Sequence, residues 1–121
     1  MTGTLRDRRD GRPLARRIVR AAGPLARTWG LLGRRSLAPG EGMWFDGCSA
    51  IHTFGMRMAI DAVFLDEHGT VVRVAAELAP WRTASAPAAR DVLELGAGEC
   101  ARAGIAAGSR LEMQWHSSTS S

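Results

Sequence analysis

The stretch MAIDAVFLD, residues 58–66, is nearly continuous in apolar side chains, and its reading decides the fold. Such a run belongs to a strand buried on both faces. Glu67-His68-Gly69 follows as a tight connection, Gly69 being suited to positive φ, and residues 71–76 return as the paired strand. Upstream, Met43-Trp44-Phe45 is a short apolar strand ending at Asp46-Gly47. Downstream, residues 90–95 (RDVLEL) alternate like a half-buried strand, with Val92, Arg90 and Glu94 on one face and Asp91, Leu93 and Leu95 on the other. Residues 98–103 form a helix of one to two turns stopped by Gly104, with Ile105 as its hydrophobic contact. Residues 110–115 make a last strand, in which Leu111, Met113 and Trp115 alternate inward.

Residues 1–13 (MTGTLRDRRDGRP) are charged and aperiodic, and a disordered basic arm is expected there. Residues 14–115 are then a single domain and 116–121 a flexible tail. Apolar residues recur at three- and four-residue steps over 14–32, but Gly23-Pro24 breaks the run. The reading that uses this break is a strand over 18–22, then a helix over 25–32 opening at Pro24 and ended by Gly33. Residues 36–42 are a turn-rich link, and residues 77–89, with Pro80, Trp81 and Pro87 among alanines, a long surface crossing. The expected fold is α+β, mainly β: a compact barrel- or sandwich-like domain of about six short strands with two short helices.

A chain of 121 residues holds one domain, and 45% hydrophobic residues suffice for one modest core. All 16 cationic side chains are arginine. Ten arginines against Asp7 and Asp10 give residues 1–35 a net charge of +8, while six against ten acids give residues 36–121 a net of −4. The arm is therefore a candidate tether to nucleic acid or an anionic membrane through charge alone, without specific nucleic-acid recognition. Arginines interrupt every N-terminal apolar run, so no signal peptide or transmembrane span is expected. The expected location is cytoplasmic, with Cys48 and Cys100 reduced. A chain without lysine has no phosphate-binding Gly-Lys-Ser/Thr loop, and neither a Gly-x-Ser-x-Gly elbow nor a His-Glu-x-x-His helix occurs.

Four blocks, in order and spacing, resemble one known pattern: GLLGRRSLAPGEGMWF (30–45), CSAIHTFGMRMAIDAVFLD (48–66) with its hairpin EHGTVVRV (67–74), VLELGAGECARAGI (92–105) and GSRLEM (108–113). The chain resembles the domain of unknown function 192 family over residues 18–115. The resemblance implies a compact β-barrel or sandwich-like domain with two small helices, and no activity. Ala59 stands where the family usually has proline, and Gly55 where a larger side chain is common, which widens the surface this loop frames.

Cys48-x-x-x-His52 is the best candidate for chemistry, since a thiolate and an imidazole four residues apart can share a metal or form a nucleophile–base pair. The bland reading is a structural loop with Cys48 as a small buried hydrophobe. Asp61, inside an apolar strand, must be paired or hydrogen-bonded, with Arg57, Arg90 or backbone donors of residues 48–54 as partners. It is either a ligand-anchoring or proton-accepting acid, or a pin between loop and sheet. Trp44 and Trp115 fill a core or line a pocket, and Trp81 is the aromatic whose surface position asks for something to cover. Candidate ligand-binding residues are thus Cys48, His52, Arg57, Asp61 and Trp81. The preferred function is non-enzymatic: an accessory domain binding a small molecule or a protein, with no cofactor. The rival is a zinc protein or hydrolase-like enzyme built on Cys48, His52 and Asp61, with Cys48 and His52 as metal ligands.

Overall fold

The structure, a computed structural model, describes residues 1–21 and 37–116. Among these, nine strands and one helix appear: β1 (Thr2–Asp7), β2 (Pro13–Arg20), β3 (Glu41–Phe45), β4 (Ala50–His52), β5 (Ile60–Leu65), β6 (Val71–Leu78), β7 (Thr83–Ser85), β8 (Asp91–Gly96), α1 (Glu99–Ala103) and β9 (Leu111–His116). Seven strands form one sheet in the order β6-β5-β8-β3-β2-β1-β9, and β4 pairs with β7 in a second, two-stranded sheet. All pairs are antiparallel except β2 with β3.

The apolar run became β5, and all six of its residues are buried. Its period of two sorts the core. Val63 and Leu65 join Leu93, Leu95, Leu5 and Ile18 on one face, while Ile60, Ala62 and Phe64 join Val92, Phe45, Met56 and Met58 on the other. The second face is where β4 and β7 pack, through Ile51 and Ala84. β8 lies between β5 and β3 and so is buried along most of its length, where alternation alone had suggested one wet face.

The expected barrel is not closed. The edge strands β6 and β9 meet only where they begin, through the Thr70–Arg110 bridge and Val71 N–H donating to Ser109 O at 2.8 Å. The two helices expected reduce to α1 among the described residues, since residues 25–32 lie outside them. α1 ends as its sequence requires: Gly104 takes φ +74 and Ile105 N–H donates to Cys100 O at 2.8 Å. The strand count rises from about six because β1, β4 and β7 carry weak local signals. β4 and β7 are three residues each, and β7 interrupts the stretch expected to be an irregular crossing.

The largest correction falls on residues 1–13. Thr2–Asp7 is no disordered arm but an inner strand, paired on one side with β2 and on the other with β9. Leu5 is fully buried, and Asp7 and Asp10 cap the turn by accepting from Arg9 and Arg12 N–H, each at 2.9 Å. Local composition missed this because half of the pairing comes from the far end of the chain. Leu5→Ala therefore should cost about 3 kcal/mol in urea unfolding, as for other buried leucines. An arm without structure would show no change.

Candidate functional site

Asp61 is 1% exposed and has the parity of Val63 and Leu65. Opposite it, Ile60 pairs with Leu78 and Ala62 with Ala75, so Ala76 and Glu77 both face one residue. That is a β-bulge, and it leaves a backbone donor without a ladder partner. The Asp61 carboxylate takes it, Oδ1 accepting from Glu77 N–H at 2.8 Å. The same carboxylate accepts from Gly98 N–H at 3.2 Å and Cys100 N–H at 2.9 Å, at the start of α1. Its partners are thus backbone donors of β6 and α1, not Arg57, Arg90 or the 48–54 loop. Burial first, and then the charge of Asp61, push the Cys100 thiol up to about 12, so it stays protonated and unreactive at neutral pH.

Cys48 packs half-buried against the second face, and its thiol donates to Ala50 O at 3.0 Å. His52 points the other way: Ile51 between them turns inward, leaving Ala50 and His52 exposed. His52 Nδ1 accepts from Phe54 N–H at 3.2 Å. The structure therefore does not assemble Cys48, His52 and Asp61, and among the described residues no three His, Cys, Asp or Glu side chains converge as metal ligands. Cys48 and Cys100 are free thiols packed against opposite faces of the large sheet.

What the loops do assemble is an aromatic row. The His52 and Phe54 rings lie 5.0 Å apart, and Phe54 stacks on Trp81 at 5.9 Å and 24°. Phe54 is 45% and Trp81 64% exposed. Thr53, fully buried and between His52 and Phe54 in sequence, holds the row. Its hydroxyl donates to Ala79 O at 2.7 Å and accepts from Arg82 N–H at 2.9 Å, and its carbonyl accepts from Trp81 N–H at 3.1 Å. Trp81 is held at φ +64, a conformation bulky residues rarely adopt. Arg82 follows it in sequence and is exposed, and Arg57 is exposed in the loop after Phe54. Trp44 and Trp115, by contrast, meet edge to face at 6.1 Å in and against the core.

Two site residues escaped the sequence reading. Phe54 is absent from the sequence-predicted candidates, although an aromatic two residues from His52 on a strand-like stretch shares its face. Glu94 was placed on the correct face of β8 but not marked as an acid in the core. It is 5% exposed, and burial pushes its carboxyl up to about 7.

The fold and site define a small, mainly β domain that presents an aromatic row from the loops beside a two-stranded second sheet. The chain belongs to the domain of unknown function 192 family, described as Uncharacterized ACR, whose profile matches residues 6–113. It is similar in structure to a protein of Sinorhizobium meliloti 1021 provisionally named a transcription regulator, with TM-score 0.79 and 29% identity over 92% of this chain and 91% of that one. It also shares its fold with a protein of unknown function from Novosphingobium aromaticivorans DSM 12444, with TM-score 0.75 and 24% identity over 93% and 84% of the two chains. No curated protein matches the chain. No helix among the described residues is long and apolar enough to cross a membrane.

Glu94 yields a stability prediction. The unfolded carboxyl titrates near its ordinary 4.5 and the folded one near 7, so the unfolded chain releases its proton first. The contribution from the protonated acid is present below about pH 4.5 and lost by about pH 7, a fall of about 3 kcal/mol. Glu94→Gln should remove that fall, so urea unfolding at about pH 5 and pH 8 should differ less in the variant than in the wild type. Equal pH dependence in the two proteins would contradict the assignment.

Proposed function

We propose that this protein is a non-enzymatic binding domain for a small molecule or a protein, and that His52, Phe54 and Trp81 form its contact surface. One observation carries the reading: a tryptophan 64% exposed and held at φ +64 by a buried threonine. Backbone strain of this kind costs about 1–3 kcal/mol, and the exposed ring offsets it only through its stack on Phe54 unless something else covers it. Exposed Arg82, whose guanidinium donates to Trp81 O at 3.3 Å, suits a planar ligand that carries an anionic group. The small β4–β7 sheet, packed on the large one as the second layer of a sandwich, serves as the platform. The domain acts in the cytoplasm with both cysteines as thiols. It uses no cofactor; zinc on Cys48 and His52 is the rival, and against it stand a thiol engaged with Ala50 O and an Nδ1 engaged with Phe54 N–H.

A second reading is contact with a nucleic-acid backbone. It is favoured by the similar Sinorhizobium protein's name and by a groove of about 570 Å³ lined by Arg8, Arg9 and Arg110 against one acid, Asp7. With β1 inside the sheet, this basic surface is part of the domain rather than an arm.

Trp81→Gly separates binding from folding, since glycine accepts positive φ and removes the ring. The variant should be at least as stable as the wild type. It should bind planar aromatic carboxylates about tenfold more weakly, followed by amide shifts at Phe54, Trp81 and Arg82. Shifts confined to Arg8 and Arg110 on adding duplex DNA, with none from the carboxylates, would favour the second reading.

A further inference from the structure

One step beyond Asp7 and Leu111, the last paired residues of β1 and β9, the strands continue into Arg8 and Arg110. Arg8 N–H donates to Arg110 O at 2.9 Å, so the two arginines stand opposite each other. Like charges placed directly opposite in an antiparallel pair cost stability. Glu112 offsets little of that cost, since its carboxylate lies 3.9 Å from Arg8 Nε and both side chains are more than half exposed. Among the described residues the Arg110 side chain makes no hydrogen bond or ion pair.

Both arginines line a groove of about 570 Å³ between the turn after β1 and the loop that joins α1 to β9. Arg9 is a third cation in its wall, and the one acid there, Asp7, is turned to Arg9. Asp7 Oδ1 accepts from Arg9 N–H at 2.9 Å and Oδ2 from the Arg9 guanidinium at 3.5 Å. Three guanidiniums against one engaged carboxylate leave the groove with a net charge of +2. Ser109, also in the wall, accepts from Ala106 N–H at 3.0 Å through Oγ, which leaves its hydroxyl proton to donate. The last carbonyls of α1 accept from Gly104 and Ile105 N–H, so they present no bare acceptors to an anion.

We infer that this groove is a binding site for the phosphate monoester of a small molecule, held by Arg8, Arg9, Arg110 and the Ser109 hydroxyl. A guanidinium fork matches phosphate oxygens in pairs, and a phosphate between Arg8 and Arg110 turns their repulsion into attraction. A monoester carries a charge of about −2 near neutral pH, which balances the groove. The volume is that of a small-molecule site. A nucleic-acid backbone asks instead for an extended track of cations. Arg6 and Arg102, next to the groove's residues in sequence, are already engaged, with Gln114 and Glu99. The inference rests on the basic groove of the second reading and puts a small ligand in place of its nucleic acid. It uses no residue of the aromatic row.

The test titrates the full chain at about pH 8 and low salt with glycerol 3-phosphate, dimethyl phosphate, glycerol and a short DNA duplex, reading amide shifts. Glycerol 3-phosphate should shift Arg9, Ser109 and Arg110 and bind about tenfold more tightly than the singly charged dimethyl phosphate, while glycerol does not bind. Its affinity should fall several-fold at about pH 5, because the monoester loses its second charge near pH 6. Arg110→Gln should weaken it about tenfold with a cooperative melt retained. Arg17→Gln, the same loss of charge at an exposed position of β2, should leave it unchanged. Equal binding of monoester and diester would overturn the inference. So would monoester shifts centred on Trp81, undiminished binding by Arg110→Gln, or no binding up to about 10 mM. If only the duplex shifts the groove amides, the inference fails and the second reading stands; if only the monoester does, the inference stands and the second reading fails. Should Arg110→Gln not melt cooperatively, Arg9→Gln in the exposed turn decides by the same criterion.

Discussion

Three backbone N–H groups converge on Asp61, and most of what is distinctive in this domain follows from that convergence. A carboxylate inside the most buried strand costs several kcal/mol unless donors surround it. The chain answers with donors from Glu77, Gly98 and Cys100, which belong to elements 16 to 39 residues away. Each donor would otherwise be an orphan, one in a β-bulge and two at the start of a helix. One side chain thus fixes the bulge of β6, seats α1 on the sheet and adds its charge to the burial that keeps the Cys100 thiol protonated.

The bulge matters beyond the core because of where the chain goes next. Glu77, at φ +50, is followed four residues later by Trp81, at φ +64. From the Asp61 anchor the segment passes Ala79, which receives the Thr53 hydroxyl, and returns through Arg82 to β7. Two internal anchors, Asp61 below and Thr53 above, therefore set the path that carries the exposed ring. Stability is given up at the strained Trp81, and strain held at an exposed ring is characteristic of surfaces kept for a ligand rather than for the fold.

The sequence was legible where side chains report their own environment. The continuous apolar run of β5, its paired strand β6, the alternation of β9, and the Gly104–Ile105 stop of α1, were readable because local pattern and final position agree. β1 was not, because a strand with one apolar residue gains its place from β2 and β9 on either side. Asp61 was marked as needing partners, but its donors are main-chain groups set by a register shift, which leaves no trace in residue type. The Cys48/His52 pairing failed for a geometric reason: four residues along an extended chain place two side chains on one face only if no turn intervenes, and Gly47–Ser49 turns before β4. Glu94 was assigned to the right face, yet its burial depends on β3 lying against β8, a non-local fact.

The central claim is that Asp61 is a structural anchor joining β5, the β6 bulge and α1, not an acid of a catalytic cluster. Native-state hydrogen exchange of Asp61→Asn tests it most directly. The variant should lose about 3 kcal/mol of stability, and the amides of Glu77, Gly98 and Cys100 should lose protection together while those of β1 and β9 keep theirs relative to global unfolding. Unchanged stability with full protection at those three amides would contradict the account, and would return Asp61 to the role of a functional acid.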